Sequence, residues 1–254
     1  MGGVELDHLS VEEEAGVLGH ARGLLHVVGH DDDSVLAFEL EELNELLLRM
    51  GSLVESSIRR SVQSLVDRDK ELAKAVMRDE VTINQMQVEV DARTTRVLAL
   101  NQPVARDLRF LTATLKINTD LERMGDLAVN IAERAISLIN WPPIKPLEDI
   151  PKMASLVEDM VLKSLEAFVK VNAELAETIC PADNEVDALR DKVYTELVGF
   201  MQRDPISVPA AVDLIFVARN LERIADHATN IAEDVIFLAK GVDFRRAVGP
   251  VRTA

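Results

Sequence analysis

Cysteine is almost absent from this 254-residue chain. Cys180 stands alone, so no intrachain disulfide can brace the fold and a reducing compartment is compatible. Aromatic residues are only 4% of the sequence while hydrophobic residues are 48%, so the core must be assembled from Leu, Val, Ile and Ala, as helix bundles commonly are. Positive charge is also in deficit. Lys and Arg number 28 against 44 Asp and Glu, a net charge of −16 at pH 7, which repels nucleic acid and anionic lipid surfaces. No apolar run approaches the roughly 18 residues that span a bilayer, and the acidic N-terminus does not resemble the positively charged start of a signal peptide. A soluble, cytoplasmic protein with no nucleic-acid partner is expected. Missing motifs narrow the chemistry further. There is no Walker phosphate loop, no Gly-x-Ser-x-Gly elbow and no Cys/His zinc pattern, so nothing supports ATPase, hydrolase or zinc catalysis.

What the chain does have is a repeat. Leu121-Glu-Arg-Met-Gly-Asp-Leu-Ala-Val-Asn-Ile-Ala-Glu133 returns 100 residues later as Leu221-Glu-Arg-Ile-Ala-Asp-His-Ala-Thr-Asn-Ile-Ala-Glu233, with nine of thirteen positions identical. The stretch lacks proline and is rich in good helix formers. On a helical wheel Glu122, Asp126, Asn130 and Glu133 fall within an arc of roughly 80°, with Met124, Ala128, Ile131 and Ala135 opposite. A single copy would read as an ordinary solvated amphipathic helix. Acids four apart repel by a few tenths of a kcal/mol, however, and here the same acids keep the same register in both halves. A shared use of these carboxylates is the stronger reading.

The rest of the chain falls into segments around the repeat. Residues 1–37, with four glycines from Gly16 to Gly29 and four of the five histidines, read as a loose leader. His20, His26 and His30 lack the spacing of a defined metal site, and Glu5-Leu-Asp-His8 is a chance match to Glu-x-x-His. From Phe38 to Asp67 apolar residues recur at threes and fours, predicting a first helix. A second runs from about Lys70 to Leu100 and stops at Asn101-Gln-Pro103; a third carries the first repeat to about Asn140. Four prolines between Trp141 and Pro151 mark the joint between halves. A fourth helix is expected from Lys152 to Ile179, a fifth from Pro181 to Arg203, and a sixth carries the second repeat from Pro209 to Gly241. The expected fold is all-α: two pseudo-symmetric three-helix bundles over residues 38–140 and 152–244, joined by a linker at 141–151 and followed by a tail at 245–254.

Two further acid pairs sit on the second and fifth helices. Glu80-Val-Thr-Ile-Asn84 and Asp183-Asn-Glu-Val-Asp187 align between halves, each with oxygen-bearing side chains four apart on one face. Antiparallel packing would bring Glu80 and Asn84 against Glu122 and Asp126, and Asp183 and Asp187 against Glu222 and Asp226. Such oxygen-only sets favour hard cations and also suit iron or manganese. Asn84 is the poorer ligand, which weakens the first-half site. Asp120, Asn130, Asn230 and Glu233 are lesser candidates, and His227, about 100° from Asp226 on the wheel, is read as packing or as support for a ligand.

The duplicated Leu-Glu-Arg-Met/Ile-Gly/Ala-Asp-x-x-x-Asn-Ile core, the helix start Gln102-Pro-Val-Ala-Arg-Asp-Leu-Arg109 and the approach Phe216-Val-Ala-Arg-Asn-Leu-Glu-Arg223 closely resemble the PhoU family of phosphate-uptake regulators, from about Phe38 to Phe244. The resemblance implies two three-helix bundles and an accessory, non-enzymatic role with the high-affinity phosphate ABC transporter. It implies negative control of uptake and of the phosphate-sensing histidine kinase. Partners would be the transporter's ATPase subunit, the kinase, or both, with contact to the membrane only through them. A homodimer or higher homo-oligomer is implied as well. Several members carry multinuclear iron or other metal clusters on their acidic motifs, which here correspond to Glu80, Glu122, Asp126, Asp183, Asp187, Glu222 and Asp226, with Asn84 where an acid is more usual.

Two other readings compete. A carboxylate-bridged di-metal enzyme would need Glu-x-x-His pairs, and neither repeat has one. A metal-free adaptor would instead turn its acidic stripe toward a basic partner.

Overall fold

The computed structural model describes residues 31–144 and 148–241, with backbone only at 31–33. Six long helices and one short one are present among them: α1 (Asp31–Asp67), α2 (Lys70–Asn101), α3 (Ala105–Leu138), α4 (Asp149–Lys170), the five-residue α5 (Ala173–Glu177), α6 (Cys180–Arg203) and α7 (Val208–Lys240). A single 3-10 turn, Pro205–Ser207, precedes α7, and no strand occurs among the described residues. The expected all-α class and the duplicated order of long helices are therefore observed.

Periodicity sets which faces are buried. Along α1, Leu40, Leu43, Leu47, Met50, Val54, Ile58, Val62 and Leu65 are all buried, one every three or four residues, as a continuous apolar stripe requires. The helix begins at Asp31 rather than at Phe38. The helix thus reaches seven residues, 31–37, into the segment read from sequence as a leader. The histidines and the rest of the leader lie outside the described residues.

Turns are fixed by capping. The Asp69 side chain accepts from the N–H groups of Glu71 and Leu72 at the start of α2. Arg68, in the same turn, donates through Nη2 to the carbonyls of Leu138, Ile139 and Trp141 at 3.1, 2.7 and 2.7 Å, closing the exposed C-terminal end of α3 with a cation. Gly241, at φ 67°, ends α7 in the left-handed conformation that glycine tolerates best.

The fourth helix differs from expectation. It starts earlier, at Asp149, with Pro151 in its first turn where no N–H is needed, and it ends at Lys170 instead of Ile179. Val171 turns left-handed, and the Asn172 side chain accepts from Leu175 N–H at 3.1 Å to open the short α5. Asn172 is thus a cap inside what the apolar pattern reads as one continuous helix.

α1, α2 and α3 pack on one another, as do α4, α6 and α7; α3 lies along α7 more extensively than any other pair, and α1 also touches α4. The two trios therefore share one continuous core, with α2 and α6 at the outer edges. Close approach is allowed by two glycines. A Cβ at Gly51 would lie 2.5 Å from Leu165 Cδ1 across the α1–α4 contact, and one at Gly125 would lie 3.2 Å from Ile83 Cδ1 across α2–α3.

Candidate functional site

α3 and α7 run antiparallel, and their polar contacts fix the register. Lys116 Nζ lies 2.8 Å from Asp234 Oδ1 and Arg134 Nη1 lies 3.2 Å from Asp213 Oδ1, with His227 and Asp120 paired between them. This register sets the two repeat motifs side by side at the centre of the molecule, in opposite directions. α2 is likewise antiparallel to α3, since Asn118 Nδ2 donates to the Gln87 carbonyl at 3.0 Å and to Asp91 Oδ1 at 2.9 Å, while Gly125 faces Ile83 further along.

In the first half this brings Glu80 and Asn84 of α2 toward Glu122 and Asp126 of α3. Asn84 Nδ2 donates to Glu80 Oε1 at 3.1 Å. Asn84 Oδ1 is buried and accepts from nothing among the described residues, which leaves one oxygen donor of this set unused. Burial, reinforced by the neighbouring charges of Asp126 and Glu80, holds the Glu122 carboxyl above its ordinary range. Burial and then the Glu80 charge do the same to Asp126. The repulsion anticipated for an acidic stripe is thus present across two helices.

The second half repeats the arrangement with more charge. Asp183 is pushed up to about 6, chiefly by burial and then by the charges of Asp226, Asp187 and Glu222, with Arg190 opposing. Glu222 and Asp226 are raised as well, burial again leading. Arg190 answers this charge directly. Its Nη1 lies 2.9 Å from Asp187 Oδ1 on its own helix and 2.6 Å from Glu222 Oε1 on α7, and its Nη2 lies 2.9 Å from Asp191 Oδ1. Sequence reading passed over Arg190, although Asp187 and Arg190 stand at the i,i+3 spacing of a helix ion pair.

The lesser candidates divide. Asp120 binds His227 Nδ1 through Oδ1 at 2.8 Å and belongs to the seam between halves, as does Asn230, which lines a polar cleft of about 440 Å³ with Lys116, Thr119, Arg123 and Asp234. Asn130 is exposed, and Glu233 lies close enough to the Cys180 thiol to help burial raise it.

The donor chemistry fits a hard cation: eight oxygen-bearing side chains in two sets, raised carboxyls, and a buried amide oxygen without a donor. Among the described residues no three His, Cys, Asp or Glu side chains stand close enough to share one ion, so binding would require these side chains to swing together on their helices. No helix among them is long and apolar enough to cross a membrane.

Comparison with known proteins agrees with the duplication. The sequence matches the PhoU domain twice, at residues 47–135 and 150–235. It is 42% identical over 203 residues to the phosphate-specific transport system accessory protein PhoU homolog of Aquifex aeolicus, covering 80% of this chain and 92% of that protein. It is 36% identical over 207 residues to PhoU homolog 2 of Thermotoga maritima, at 82% and 88% coverage. The crystal structure of PhoU from Pseudomonas aeruginosa superposes with a TM-score of 0.79 at 39% identity, covering 81% of this chain and 99% of that one. The phosphate transport system regulatory protein PhoU from Streptococcus pneumoniae gives a TM-score of 0.76 at 30% identity, with 82% and 98% covered.

Proposed function

This chain belongs to the PhoU family, and from that premise we propose that it is an accessory protein of a phosphate-specific transport system, acting by binding rather than by turnover. The observation that carries the reading is the extent of the match: the PhoU domain is matched twice, and the alignments cover 80–82% of this chain and 88–92% of the Thermotoga maritima and Aquifex aeolicus accessory proteins. In this reading the protein is a brake. It restrains high-affinity phosphate uptake and phosphate-starvation signalling, through the transporter's ATPase subunit and the phosphate-sensing histidine kinase, as a cytoplasmic homo-oligomer.

Physical features support a binding role. Two stiff helical trios with a net charge of −16 over the whole chain present broad acidic faces, and such faces speed encounter with basic patches on a partner. We further propose that the acidic sets hold metal ions, iron foremost, in multinuclear clusters: Glu80, Asn84, Glu122 and Asp126 in the first half, and Asp183, Asp187, Glu222 and Asp226 in the second. A bound cation would neutralise the repulsion within each set, and the same side chains would hold it, joining α2 to α3 and α6 to α7. Arg190 favours a second reading for the second half alone, in which that set is neutralised from within and serves as a metal-free adaptor surface.

The test is deletion of the gene, with phosphate uptake and starvation-gene expression followed in phosphate-rich medium. Derepression of both, reversed by the intact chain, supports the brake. Unchanged repression in a strain with no second copy contradicts it.

A further inference from the structure

The two acidic sets differ in one residue that decides how each is neutralised. Aligning Glu80 and Asn84 with Asp183 and Asp187 puts Gln87 of α2 at the place of Arg190 of α6, three residues beyond the pair. In the second half the Arg190 guanidinium takes one oxygen from Asp187 and one from Glu222, so a cation already spans α6 and α7 at the point where the two acidic faces meet. In the first half Gln87 brings no charge. Among the described residues Glu80, Glu122 and Asp126 form no ion pair, and Asn84 Oδ1 is buried without a donor. One set is therefore closed by a tethered guanidinium, while the other feels only the more distant charges of Arg123 and His227 on Glu122, with no salt bridge among the described residues.

We infer that Arg190 is a built-in competitor for the second-half site: in both halves the side chains must swing together around a free cation, but the second half must in addition release Arg190 from Asp187 and Glu222. The inference rests on the cation-binding reading above. Charge-assisted bonds from Arg to two carboxylates on different helices are shorter and stronger than neutral ones, and any ion entering that set must replace them. Arg190 also has somewhere to go. Its Nη2 and Nε already donate to Asp191, an exposed carboxylate one position along, so the released guanidinium keeps a partner outside the site. The weaker ligand, Asn84, thus sits in the set with no internal rival, which reverses the ranking that ligand chemistry alone suggests.

The test titrates Mn²⁺ into the chelator-treated full chain by calorimetry, with element analysis for stoichiometry. Intact protein should show a tighter class, lost in Glu122→Gln, and a weaker class, lost in Asp226→Asn. Arg190→Gln should tighten the weaker class by about tenfold while leaving the tighter class in place. The reciprocal Gln87→Arg should weaken the tighter class by a similar factor, and it keeps the test decisive if Arg190→Gln fails to fold. Unchanged or weakened second-half affinity in Arg190→Gln, with Mn²⁺ still bound, overturns the competitor role alone. Absence of Mn²⁺ from every variant overturns the cation reading and this inference with it.

Discussion

His227 Nδ1 lies 2.8 Å from Asp120 Oδ1, joining α7 to α3 with side chains only 12% and 10% exposed. The repeat offset of 100 residues makes Asn220 and Leu127 their counterparts, and no such pair exists there: the symmetry of the fold is broken at its own central seam. Buried polar groups left without a partner cost more than the bond itself contributes. His227→Leu alone should therefore lower stability by about 2 kcal/mol, because Asp120 is stranded. Adding Asp120→Asn, which restores the residue types of the other seam, should recover at least half of that loss in urea unfolding. A double variant less stable than the single one would contradict this account of the seam.

The contact between halves depends on a missing side chain. A Cβ at Gly51 would meet Leu165 Cδ1 at 2.5 Å in a buried position, so Gly51→Val should cost roughly 1–3 kcal/mol through overpacking, even though valine is the better helix former. Thermal unfolding should show one shifted transition, since the halves share a single core.

An opposite change should stabilise. Gln102 ends α2 at φ 43°, exposed and left-handed, a conformation that costs an L-residue roughly 1–2 kcal/mol and glycine little. Gln102→Gly should raise stability by about 1 kcal/mol, measurable as a higher denaturant midpoint at constant slope.

Asp183 supplies the pH dependence. Its carboxyl is raised from 3.8 to about 6 in the folded chain, so the contribution of this group is fully present below 3.8 and is lost as pH rises through 6. Asp183→Asn removes that loss. In chelator-treated protein the variant should gain on the original chain in melting temperature between pH 4 and pH 7 and keep a constant lead above that. Equal pH profiles would show that Asp183 is not crowded by Asp187, Glu222 and Asp226.

The sequence made much of this legible because the duplicated motif and the threes-and-fours spacing fix which face of each helix is apolar, and the prolines and Gly241 mark most ends. It also placed Glu80, Asn84, Asp183 and Asp187 on the faces that turn toward α3 and α7. What it hid depends on register between helices. Neither the Asp120–His227 pair nor the reach of Arg190 to Glu222 follows from a wheel, because each is decided by how far one helix slides along another. The break after Lys170 was hidden for a different reason: apolar residues continue through Val171, Leu175 and Ile179 at helical spacing, and only the Asn172 side chain announces a new start.

The central claim is that this chain restrains phosphate transport by binding. The most direct measurement follows the phosphate transporter's uptake reaction in inside-out membrane vesicles, read as ATP-driven loss of phosphate from the lumen, with purified chain added to the exposed cytoplasmic face. The account predicts that uptake falls and saturates as the chain approaches the amount of ATPase subunit, and that added salt weakens the effect as it screens the acidic faces. Uptake that is unchanged at every ratio, or that falls progressively with far less chain than transporter as turnover would cause, would contradict it.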